Sequence, residues 1–299
     1  MLKINSDKKV PPLKEGDEII TIAVSSAIDE DSLPAGLKIF KDWGLIPRKN
    51  KYLTQRWGYF AGSDEIRYKQ LHSKRNPALT TFVRGGWGAA RLLEKPQNWK
   101  PGWFLGYSDI TSILFSRLSE GFDGCIHGPM INSIAQEPLW SRNRLKAILF
   151  GYDIPDLYGE PIKNGVAIGP LIAANLTVAS HLIGTKHMPD LKGSILVLED
   201  IAEEPYRIDR MLTQWRMTGL LDQLAGLCFG KFLDCQGPEG IPPNKTFSLN
   251  EVLKDRVKDL SIPVIQNLPI GHGKGNAALP LGKEALLDCN SGFLRGISS

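Results

Sequence analysis

The sequence is short of cysteine and shorter still of cysteine pattern. Its 299 residues hold four, Cys125, Cys228, Cys235 and Cys289, and no two form a Cys-x-x-Cys pair. That scatter argues against a zinc site and against a disulfide framework, so neither a metal nor another cofactor is expected. The opening Met-Leu-Lys-Ile-Asn-Ser-Asp-Lys-Lys has no apolar core of signal-peptide length, and a cytoplasmic, reducing location is the default expectation. No dense basic patch is present. The net charge is +4, and Lys8-Lys9 and Arg48-Lys-Asn-Lys51 read as solvated surface, so nucleic acid is not an expected partner. A membrane is not expected either. Gly165 to Thr185 has no charged residue, but Pro170, Asn175, Thr177, Ser180 and His181 interrupt it. It is read as a strand (Val166 to Ile168), a Gly-Pro break and a helix from about Leu176 to Ile183. Internal repeats and low-complexity tracts are also missing.

What remains has the composition of an ordinary globular protein, 42% hydrophobic and 23% charged, long enough for two domains. The β-branched run after Asp17 predicts a buried strand. A helix from Leu33 to Trp43 is stopped by Gly44, and a second, from Gly62-Ser-Asp-Glu to Leu71, is capped by Ser63 or Asp64. Further strands are expected at Leu79 to Val83 and Trp103 to Leu105. Strands alternating with helices imply an α/β fold with a mostly parallel sheet, in which ligands gather beyond the carboxyl ends of the strands. Pro155, Gly159, Pro161 and Gly165 mark residues 151–165 as a linker between an N-terminal α/β domain (1–150) and a smaller, β-rich C-terminal domain (166–299). In the second half a strand is expected at Ile195 to Leu198, a helix at Ile208 to Leu221, a strand at Leu227 to Leu233, a Pro- and Gly-rich loop at Gln236 to Lys245, and a final core strand at Pro263 to Leu268.

Three of these strands end in a side chain able to do chemistry. The first leads through Gly106-Tyr to Ser108, placed where a helix begins and backbone N–H groups are free. The second ends at Glu199, with Glu203, four positions further in the same segment, as the fallback acid. The third leads to His272 within Gly-His-Gly. Serine, acid and histidine are the parts of a hydrolytic triad: Ser108 as nucleophile, His272 as general base and Glu199 fixing the imidazole. The amides of Gly85, Gly86 and Asp109 are candidate oxyanion donors, and Trp87 is a candidate substrate contact. His127, in Cys-Ile-His-Gly-Pro-Met, reads as a packed histidine.

Assembled, these segments resemble the LD-carboxypeptidase family of serine peptidases. The likeness runs through Ala61-Gly-Ser-Asp-Glu-Ile-Arg, Arg84-Gly-Gly-Trp-Gly-Ala, Gly106-Tyr-Ser-Asp-Ile-Thr, His127-Gly-Pro-Met, Leu198-Glu-Asp-Ile, Glu204-Pro-Tyr-Arg-Ile-Asp-Arg and Ile270-Gly-His-Gly-Lys-Gly-Asn. The resemblance implies an N-terminal nucleophile domain and a β-rich domain carrying acid and histidine. It also implies a cytoplasmic homodimer without a metal, acting on a murein peptide between the L-centre of a diamino acid and a terminal D-Ala. A microcin-immunity-like amidase acting on aminoacyl-nucleotide analogues, and a non-catalytic muropeptide-binding protein, are the alternatives. The sequence departs from the family at Ala173-Ala-Asn-Leu, where Gly-Gly-Asn-Leu is usual. This adds two methyl groups at the expected substrate side, where the resemblance makes the retained Asn175 a candidate substrate contact.

Overall fold

The computed structural model describes residues 2–28, 33–73, 75–237 and 245–297. Strands β1 (Glu18–Ile22), β2 (Ile46–Arg48), β3 (Leu79–Phe82), β4 (Trp103–Gly106) and β5 (Cys125–His127) form a parallel sheet in the order β2-β1-β3-β4-β5. Ile19, Ile22, Leu79, Phe82 and Leu105 are fully buried, as expected for a parallel sheet covered on both faces. Helices α1 (Leu33–Asp42), α2 (Asp64–Leu71) and α3 (Thr111–Ser119) make the crossovers. Ser63 caps α2, its hydroxyl accepting from the Ile66 amide at 3.4 Å. The chain leaves β1 on one side for β2 and returns on the other for β3, so the sheet order reverses there. The crevice beyond the carboxyl ends of β1 and β3 is therefore a natural ligand site.

After α4 (Ile131–Ile134) and α5 (Leu139–Phe150) the second sheet begins at once. The expected linker instead carries β6 (Leu157–Tyr158) and β7 (Glu160–Lys163), which pair at opposite edges of that sheet. Pro161 fits this arrangement because an edge strand can spare an N–H. Strand β8 (Val166–Asn175) does not break at Gly169-Pro170, contrary to the sequence expectation. It pairs with one neighbour up to Pro170 and with another from Leu171, so the missing N–H falls where the partner changes. Next come α6 (Leu176–Leu182), β9 (Ile195–Ile201), α7 (Pro205–Met217), β10 (Gly226–Leu233), α8 (Leu249–Val257) and β11 (Val264–Gln266), with β8 to β11 mutually parallel.

β11 is not the final strand. β12 (Leu279–Pro280) crosses back to pair antiparallel with β5, and β13 (Glu284–Asp288) and β14 (Phe293–Gly296) then extend the second sheet. One hydrophobic cluster runs from Ile20 to Leu294 across both sheets. Most of the Gln236 to Lys245 loop, residues 238–244, lies outside the described residues. No helix among the described residues is long and apolar enough to cross a membrane.

Candidate active site

β4 ends at Gly106. Tyr107 is extended, and Ser108 opens a single 3-10 turn that continues into α3. Ser108 has φ of +60°, a left-handed conformation that a non-glycine residue adopts at a strained turn. The turn lifts the hydroxyl out of the sheet at the start of a helix. The loop after β3 lies directly on it. A Cβ at Gly85 would stand 2.8 Å from both Cβ and Oγ of Ser108, and a Cβ at Gly86 only 2.2 Å from Ser26 Oγ. The amides of Gly85, Gly86 and Asp109 donate to no protein acceptor among the described residues. Trp87, 40% exposed, sits beside them, its amide donating to Ser26 Oγ at 3.1 Å.

Glu199 lies within β9, fully buried. Its Oε2 accepts from His272 Nδ1 at 2.7 Å and from the His272 amide at 3.2 Å. Burial works against the imidazolium of His272, but the hydrogen bond and charge of Glu199, with the charge of Asp200, outweigh it, and the pKa is raised. The Tyr107 ring lies 4.9 Å from the His272 ring, so the residue before Ser108 packs on the histidine. His272 Nε2 and Ser108 Oγ have no hydrogen-bond partner among the described residues. The fold thus brings Gly85, Gly86, Ser108 and Asp109 together and joins Glu199 to His272, with Tyr107 between the two groups.

Asn175 is turned inward. Its amide caps α6, accepting from Val178 N at 3.1 Å, and donates to Asp200 Oδ1 at 2.9 Å, so both ends are engaged within the protein. Ala173 and Ala174 are fully buried in β8, and their extra methyl groups lie in the core instead of lining a substrate surface. Glu203 ion-pairs with Arg207 at 3.7 Å, while it is Glu199 that meets His272.

Several residues support the site from around it. Glu137 Oε2 accepts from the amides of Gly275 and Asn276 at 2.7 and 3.0 Å, and Asn276 Oδ1 accepts from Gly271 N at 3.0 Å; together they set the His272 loop. Asp200 binds the amide and hydroxyl of Thr177 at 2.9 and 2.8 Å, pinning α6 beside β9. Burial pushes Asp109 up to about 6, although Oδ2 accepts from Ala89 N at 2.8 Å. His127, fully buried with its ring 5.9 Å from Tyr107, is held down to about 4 by burial and stays neutral. The four cysteines are buried free thiols.

The two-sheet architecture is that of known peptidase structures. The muramoyltetrapeptide carboxypeptidase from Oxalobacter formigenes superposes with a TM-score of 0.83 at 28% identity, covering 93% of this chain and 97% of that one. The fold is also that of an MccF-like protein from Bacillus anthracis, with a TM-score of 0.83 at 20% identity over 97% and 99% of the two chains. The murein tetrapeptide carboxypeptidase of Pseudomonas aeruginosa is 32% identical over 311 residues, 96% of this chain and 97% of that one. A relative in Synechocystis, whose carboxypeptidase name is itself provisional, reaches 42% over 290 residues, 95% of each chain. The LD-carboxypeptidase N-terminal domain matches residues 19–128 and the LD-carboxypeptidase C-terminal domain residues 168–287. The chain belongs to the LD-carboxypeptidase family, and its activity class is accordingly that of a carboxypeptidase.

Proposed function

We propose that this protein is a serine LD-carboxypeptidase that removes the terminal D-Ala from murein tetrapeptides, cutting after the L-centre of the diamino acid, and that it serves peptidoglycan recycling. The observation that carries the reading is the 2.7 Å Glu199–His272 pair, packed through Tyr107 against a serine at a strained strand-to-helix turn. Ser108 Oγ attacks the scissile carbonyl carbon while His272 Nε2 takes its proton. The carbonyl oxygen becomes an oxyanion against the free amides of the Gly85-Gly86 loop and Asp109. The C–N bond breaks, His272 returns the proton to the departing amine of D-Ala, and water hydrolyses the acyl-serine by the same proton path. Glu199 holds the imidazole in the tautomer with Nε2 free and stabilises the imidazolium. Names of relatives that act on murein peptides support the substrate; the cytoplasmic, homodimeric setting rests on the family resemblance.

Incubation with a murein tetrapeptide, followed by mass spectrometry, is expected to give tripeptide and free D-Ala. Ser108→Ala and His272→Ala each lower turnover by roughly 10³-fold or more in a protein with unchanged circular dichroism. No release of D-Ala by the unaltered protein, with an active family member as control, overturns the substrate. Substantial activity in either variant overturns the residue roles.

A further inference from the structure

An open groove of about 820 Å³ lies between α6 and α7, with Thr177, His181, Glu203, Arg207, Arg210 and Met211 among its walls. Helix α7 has two faces. Ile208, Leu212 and Trp215 are fully buried, and at the alternate spacing Arg207 and Arg210, one turn apart, face the groove. Arg207 is partly matched by Glu203 at 3.7 Å and Glu204 at 4.0 Å. Arg210 has no carboxylate partner among the described residues; it lies 5.9 Å from the Tyr206 ring.

Two residues that line the groove touch neighbours of the candidate active-site residues. Thr177 is held by Asp200, the residue after Glu199 on β9. Trp87, in the loop that covers Ser108, meets His181 edge to face at 6.4 Å. The groove thus holds, beside residues that touch neighbours of Ser108 and Glu199, an arginine with no carboxylate partner among the described residues. A planar guanidinium matches a carboxylate through two parallel hydrogen bonds.

We propose that this groove is a subsite for a free carboxylate of the peptide on the non-leaving side of the scissile bond, with Arg210 as its anchor and Arg207, held by Glu203, beside it. The proposal rests on the reading of the protein as a murein-peptide carboxypeptidase, whose substrates carry such carboxylates.

The test compares a murein tetrapeptide with the same peptide whose carboxylates, other than that of the terminal D-Ala, are amidated. The unaltered protein is expected to show a KM about tenfold lower for the acid form. Arg210→Gln raises the KM for the acid form about tenfold, leaves kcat within about twofold and leaves the amide form unchanged, whereas Arg210→Lys keeps part of the preference. Equal KM for acid and amide in the unaltered protein, or an equal change for both in Arg210→Gln, overturns the subsite. Should neither peptide be hydrolysed, calorimetric binding of the two forms still decides. Acid-selective binding that Arg210→Gln removes supports the subsite while the hydrolytic reading falls, and binding without acid preference overturns the subsite.

Discussion

Two carboxylates near the candidate site differ through their surroundings. Glu199 is hydrogen-bonded to His272 and raises the histidine's pKa. His272 must be neutral to accept a proton, so kcat/KM is expected to fall as pH drops through a value above the ordinary histidine pKa of about 6.5. In Glu199→Gln the charge that favours the imidazolium is gone. The acidic limb of the pH–rate profile moves to lower pH and the plateau drops; a limb that stays in place would refute Glu199 as the partner that tunes His272. Asp109 is the opposite case, a carboxyl raised to about 6 by burial. A raised folded-state pKa means stabilisation that is present below the unfolded value of about 3.8 and lost as pH climbs through 6. Relative to Asp109→Asn, which keeps an oxygen for the Ala89 amide, the unaltered protein should lose on the order of 2–3 kcal/mol between pH 4 and pH 7, read by urea denaturation at each pH.

At the scale of elements, the strand-to-helix turn at Ser108 was legible because its pattern is local: an apolar run, a glycine, then a helix start. Gly85 depends on that turn, since its missing side chain is what lets the loop after β3 touch the serine. Gly85→Ala is expected to lower kcat by roughly 10²-fold, as loss of one oxyanion donor does, with a small change in melting temperature; a kcat within about threefold of the unaltered protein would show that the loop does not hold the oxyanion. Elements misread from the sequence failed for physical reasons. Pro170 is a breaker in most strands, but β8 changes partners at that residue. β6 and β12 are two residues each, too short to leave a periodicity. Glu137 and Asn276 act on a loop that only tertiary structure brings to α5, and spacing along the chain says nothing of that.

At the scale of the whole molecule, the segment 151–165 expected to link the two domains carries two short strands, and one hydrophobic cluster spans both sheets. Hydrogen bonds between the two halves of the chain reinforce that interior. Asn175 N donates to Thr111 Oγ1 at 3.1 Å, Ser141 Oγ to the Asn276 carbonyl at 2.6 Å, and Arg144 Nε to the Ala278 carbonyl at 2.9 Å. The two halves should therefore unfold together. Circular dichroism and tryptophan fluorescence followed in urea are expected to give coincident, single transitions, and two resolved transitions would refute the shared core. The return of β12 to the first sheet has a consequence for biosynthesis. A chain leaving the ribosome exposes the Ser108 segment early, yet the loop that carries His272 precedes β12 directly, and Leu279 and Pro280 return to β5 only when nearly the whole chain has emerged. Under the proposed roles, a nascent chain that has emerged only as far as Ser108 lacks its histidine, and the proposed chemistry waits for the second half of the chain.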